Sequence, residues 1–165
     1  MSAIETGING VAAFELRAFG DDRGWLAEVF RQDAFDHAPA MAYVSVTRPG
    51  KARGPHEHLA QSDLFVFAGP GEFEVYLYDG RAASPTRSAS WSGRFGESRR
   101  AGMIVPPGVI HAYRCVSPVD GWVVNLPNRL YAGVGKSGPV DEIRHENLPA
   151  SPFYSAFDRA WFAGE

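Results

Sequence analysis

Residues 73–79 read FEVYLYD, and this heptapeptide decides the fold class. Phe73, Val75 and Leu77 fall on one face of an extended chain, with Glu74, Tyr76 and Tyr78 on the other. Period two is the pattern of a β-strand with one side buried. Short alternating or briefly apolar segments recur on both sides of it: VAAFELRAF (11–19), GWLAEVF (24–30), AYVSVTR (42–48), DLFVFAG (63–69), GMIVPP (102–107), IHAYRCV (110–116) and GWVVNLP (121–127). The 18 glycines and 12 prolines are scattered among these segments and punctuate them. No window of a dozen residues carries a helical apolar stripe. Only RQDAFDHA (31–38) and SAFDRAWF (155–162) offer short helices. Many short strands at close spacing predict an all-β sandwich or barrel, in one domain over residues 1–165.

The hydrophobic share of 45% and the charged share of 21% are those of an ordinary globular protein. A net charge of −3 gives no bulk attraction to nucleic acid, although a local arginine cluster can still hold a small anion. Cys115 is the only cysteine, so neither an intrachain disulfide nor a cysteine-based zinc site can form. The N-terminal MSAIETGING lacks the basic start and apolar run of a signal peptide. No stretch approaches the roughly 18 apolar residues of a membrane helix. The expectation is a soluble cytoplasmic protein with neither a nucleic-acid nor a membrane partner.

The chemistry concentrates in RGPHEH (53–58) and PPGVIH (106–111). Pro55 sets its own φ and favours an extended Gly54, so the chain enters the histidines as a strand end. His56 and His58 then share a face, and Glu57 points the other way. With Asp63 downstream and His111 after the Pro-Gly turn, three imidazoles and one carboxylate are available. Such a nitrogen and oxygen set suits Fe, Mn, Ni or Zn as the divalent ion.

These two segments resemble the paired motifs of the cupin superfamily, HxH followed by an acid, and PxGxxH. A second resemblance runs along nearly the whole chain. FGDDRGWLAEVF (19–30), RGPHEH, YDGRAASPT (78–86) and PPGVIHAY (106–113) follow, in order and spacing, the motifs of the dTDP-4-dehydrorhamnose 3,5-epimerase family. The resemblance implies a cupin jelly-roll β-barrel, an antiparallel double sheet, here with short flanking helices. It also implies a homodimer that binds a nucleotide-diphospho-sugar and requires no cofactor. By the same resemblance, Arg23 and Arg53 lie around the diphosphate and Glu28 near the nucleotide. His111 joins the substrate-binding set. His56 becomes the general base that takes the proton alpha to a 4-keto group.

The chain departs from that family at two places. Asp63 stands where the family has a lysine, and Asn125, in VVNLPNRLY (123–131), stands where it has a tyrosine acid. An amide cannot donate and regain a proton as a phenol does. A carboxylate beside a developing enolate raises the barrier to forming it. Tyr113 and Asn125 are therefore the candidates for the face opposite His56. A metal on His56, His58, Asp63 and His111 would neutralise Asp63, but His56 could then no longer serve as base. Glu57, Tyr113 and His145 would remain as alternatives. The leading expectation is an isomerase of a dTDP-4-keto-6-deoxy sugar in polysaccharide or deoxysugar biosynthesis. The alternatives are a metal-dependent cupin, isomerase or dioxygenase, and a non-catalytic binder of sugar nucleotides. GPVDEIRHENLPASPF (138–153) reads as a solvated charged loop.

Overall fold

The computed structural model describes residues 2–148, together with 150, 151 and 153. FEVYLYD lies in strand β8, Glu72–Asp79, and its burial alternates along the whole strand. Phe73, Val75 and Leu77 are buried in the core between two sheets. Tyr76 and Tyr78 pack with Ile110, Ala112 and Phe153 on the far side.

The first sheet has six antiparallel strands. In spatial order they are β1 (Ala3–Ile4), β2 (Ala12–Glu15), β10 (Ala101–Val105), β7 (Asp63–Phe67), β12 (Gly121–Asn125) and β5 (Tyr43–Thr47). The second has five: β13 (Ile143–Arg144), β6 (Ala52–Glu57), β11 (Val109–Cys115), β8 and β9 (Ser90–Gly96). A separate hairpin pairs β3 (Ala18–Asp21) with β4 (Gly24–Ala27).

β7 and β10 are buried on both faces, which explains their continuous apolar runs. Phe65, Phe67, Met103 and Val105 enter the core between the sheets. Leu64, Val66 and Ile104 face outward onto a second apolar layer with Phe14, Leu16 and Phe35.

Two expectations need correction. The sheets do not close into a barrel: they face each other as an open double sheet, and no ladder joins their edges among the described residues. The expected flanking helices are also missing from the described elements, whose helical parts are two 3-10 turns, Val134–Lys136 and His145–Asn147. Residues 31–38 form turns and irregular chain. There Arg31 pairs with Glu28 and Asp33, Phe35 stacks on Phe14 at 4.4 Å, and His37 donates to the Leu126 carbonyl. Tertiary packing onto the sheet overrides the weak helical preference of so short a piece. The other helix candidate, 155–162, lies outside the described residues. Among the described residues no helix is long and apolar enough to cross a membrane.

Candidate functional site

Between the sheets opens a cleft of about 1220 Å³, lined from both sides and roofed by the chain from Asn128 to Glu146. Register assembles its polar end. β6 pairs with β11 so that His56 sits opposite His111, and their ring centroids are 4.4 Å apart. His58 follows directly after β6, and its ring lies 5.9 Å from His56 and 5.8 Å from His111. Asp63 opens β7 on the opposing sheet, almost fully buried. Gly54 permits this close approach. Its φ is +85°, and a Cβ there would stand 2.5 Å from the His111 carbonyl oxygen.

Hydrogen bonds orient both flanking imidazoles. His58 gives its Nδ1 proton to the Asp141 carbonyl, and His111 gives its Nδ1 proton to the Val109 carbonyl at 3.0 Å. Both rings therefore turn Nε2 toward the Asp63 carboxylate. Oδ2 of Asp63 is 2.9 Å from His58 Nε2 and 3.8 Å from His111 Nε2. An unprotonated Nε2 and a carboxylate oxygen at such distances repel each other. Something positive must lie between them, either a proton on His58 or a cation.

The titration behaviour follows from this geometry. Burial opposes a charge on His58, but the hydrogen bond and charge of Asp63 more than offset it and raise its pKa. Burial likewise opposes ionisation of Asp63, yet His58 and His111 hold its pKa below the usual range. His111 has its pKa pushed down to about 4, chiefly by burial. Burial, then the neighbouring His111 and His58, push His56 well below its ordinary value. His56 is thus neutral at pH 7, with the Glu142 carboxylate 4.0 Å from its Nδ1.

The donor set fits a divalent ion. One nitrogen each from His56, His58 and His111 lie within 4.8 Å of one another. His111 Nε2 is buried without a hydrogen-bond partner, and the His58 imidazole is the nearest polar group to the equally buried Asp63 Oδ2. Imidazoles whose second nitrogen is held by a backbone carbonyl are the usual form of histidine ligands.

The other candidates are spread more widely. Asn125, buried on β12, donates its amide hydrogens to Asp63 Oδ1 and to the Tyr43 hydroxyl, each at 2.9 Å. Tyr113 is 5% exposed and donates to Ser45 Oγ at 3.2 Å, and burial pushes its pKa up to about 12. Arg53 lines the cleft, held by Thr47 Oγ1 and the Val46 carbonyl. Arg23 and Glu28 belong to the region of the β3–β4 hairpin and do not line this cleft. Arg23 pairs with Asp21, and Glu28 pairs with Arg31. Glu57 points to the opposite side of β6, where its Oε1 lies 2.9 Å from His145 Nε2. His145 also meets Ser151 Oγ at 2.8 Å, so it is a buried tie.

Part of the expected solvated loop proves to be a wall of the cleft. Asp141 takes the backbone N–H groups of Leu59, Ala60 and Gln61 onto its carboxylate. Glu142 and Arg144 line the cleft beside it, as do Arg129 and Lys136 nearer the start of the roof. Tyr43 was also missed. The available signal was YVSVT (43–47), whose Tyr, Ser and Thr alternate with valines and so mark one polar strand face.

Comparison with known proteins places the chain among sugar-nucleotide epimerases by sequence and by fold. The sequence profile of the dTDP-4-dehydrorhamnose 3,5-epimerase family matches residues 5–132. The chain is 34% identical over 127 residues to the probable low-salt glycan biosynthesis epimerase Agl13 of Haloferax volcanii, covering 75% of this chain and 81% of that one. It is 35% identical over 126 residues to the spore coat polysaccharide biosynthesis protein SpsL of Bacillus subtilis, covering 75% and 82%. Among solved structures, the dTDP sugar isomerase of Desulfovibrio desulfuricans G20 superposes with a TM-score of 0.79 at 23% identity, covering 99% of this chain and 97% of that one.

Proposed function

The chain belongs to the dTDP-4-dehydrorhamnose 3,5-epimerase family, and from that premise we propose that it isomerises a dTDP-4-keto-6-deoxy sugar. The reaction begins with abstraction of the proton alpha to the keto group, in a polysaccharide or deoxysugar pathway. The observation that carries this reading is His56, a neutral imidazole on the wall of a cleft that also presents Arg53, Arg129, Lys136 and Arg144. A neutral imidazole can accept a proton. The Glu142 carboxylate at 4.0 Å favours the imidazolium that results. Guanidinium groups suit a diphosphate because their fork pairs with its oxygens.

A homodimer is part of the proposal. Phe19, Trp25 and Leu26 on the hairpin, with Val44, Val46 and Trp122 on β5 and β12, leave apolar side chains exposed. Such an assembly is the route by which Arg23 and Glu28 would reach a cleft. The test is NMR of a dTDP-4-keto-6-deoxy sugar in deuterated water. The wild type exchanges hydrogen at C3 or C5, and His56→Asn does not. Absence of exchange together with absence of dTDP binding would defeat the reading.

A second reading is favoured by the Nε2 atoms turned on Asp63. In it, His56, His58, His111 and Asp63 hold a divalent ion of the Fe, Mn, Ni or Zn class. Bound there, the ion would supply a Lewis acid for a carbonyl oxygen. Elemental analysis of untagged protein discriminates: about one equivalent of metal, lost in His58→Ala, supports this reading. Metal-free protein whose activity ignores chelators rejects it.

A further inference from the structure

Inversion at a carbon alpha to a ketone needs a proton removed from one face and another delivered to the opposite face. His56 stands on β6, in the five-stranded sheet. A substrate lying between the sheets therefore needs its proton donor on the six-stranded sheet. Asn125 is on that sheet, but a carboxamide gives up no proton at neutral pH. Tyr113 lies on β11, in His56's own sheet, and its hydroxyl is committed to Ser45.

We propose that Tyr43, on β5, is the proton donor, with Asn125 as its positioning residue. This rests on the isomerase reading above. Tyr43 pairs directly with Asn125 in the β5–β12 ladder and lines the cleft. Its oxygen accepts a hydrogen from Asn125 Nδ2 at 2.9 Å. The other Nδ2 hydrogen goes to Asp63 Oδ1, which anchors the amide. Among the described residues the Tyr43 hydroxyl donates to no acceptor, so its own proton is available to the cleft. Burial raises its pKa, so the phenol is protonated at neutral pH. Tyr43 is 44% exposed, so the mouth of the cleft supplies water to recharge it.

The step balances. His56 takes the alpha proton, and the C–H electron pair becomes the enolate. The enolate then collapses to the ketone as its carbon takes the Tyr43 proton on the other face. Asn125 N–H stabilises the phenolate left behind. Water returns a proton to Tyr43 and removes one from His56.

Tyr43→Phe separates the two half-steps. Deuterium wash-in from heavy water reports abstraction by His56, and the NMR coupling pattern of the sugar reports inversion. Tyr43→Phe is expected to exchange within about threefold of wild type, returning the label to the same face. Its inversion rate should fall by about 100-fold or more, the usual contribution of a general acid. Tyr113→Phe should retain inversion. A Tyr43→Phe protein that inverts at the wild-type rate, or a Tyr113→Phe protein that alone loses inversion, overturns the assignment of Tyr43 and leaves the isomerase reading standing. A wild type that neither exchanges nor inverts overturns both.

Discussion

Replacing Gly54 by alanine tests the register on which the whole site depends. Two separate penalties follow from the structure. A side chain at φ +85° is in the left-handed region, which costs a non-glycine residue about 1–2 kcal/mol. The new Cβ would also meet the His111 carbonyl oxygen at 2.5 Å and the Ala112 Cα at 3.1 Å. Both are backbone atoms of β11, so the two strands must separate, an overpacking cost of about 1–3 kcal/mol. The sum is about 3 kcal/mol, or a melting temperature lower by about 6–12 °C for a chain of this size. Gly50 is the control, because its φ is +73° with nothing within 4 Å of a Cβ. Gly50→Ala should lose only the conformational part, about 1 kcal/mol. Urea denaturation of the three proteins, at unchanged m-value, measures both terms. If Gly54→Ala unfolds at the same midpoint as Gly50→Ala, β6 and β11 do not meet as described. The juxtaposition of His56 and His111 would then fall with them.

Stability should also depend on pH through His58 and Asp63, in protein freed of metal by a chelator. The raised pKa of His58 stabilises fully below about 6.5, and the contribution is lost as pH rises through the folded value. The lowered pKa of Asp63 stabilises above its ordinary value of 3.8 and is lost as pH falls through the folded value. His56 and His111, held neutral by burial, lower stability toward pH 6 in the wild type and in Asp63→Asn alike. The excess of the wild-type urea midpoint over that of Asp63→Asn should therefore be larger at pH 6 than at pH 8.5, whereas equal pH dependence in the two proteins contradicts the pair. Asp79 is fully buried and accepts from Arg81, Ser84 and Thr86. Asp79→Ala strands those donors and should cost about 3–5 kcal/mol in the same denaturation experiment, far more than a surface change.

The sequence by itself determined the strands. In FEVYLYD, and in the apolar runs of β7 and β10, backbone pleat and burial impose a pattern that survives any arrangement of sheets. It also marked His56, His58, Asp63 and His111 as candidates through two short motifs, although only the β6–β11 register and the facing sheet bring the four together. It could not decide closure. Whether edge strands meet depends on pairings such as β13 with β6, between residues more than eighty positions apart. Nor could it orient YVSVT, where Val44 and Val46 face outward while Tyr43 and Ser45 turn toward the cleft and Thr47 is buried against Arg53. Alternation names two faces of a strand, and only the neighbouring sheet says which one is inside. The tertiary structure likewise turned the Nε2 atoms of His58 and His111 onto Asp63, through backbone carbonyls that no residue type encodes.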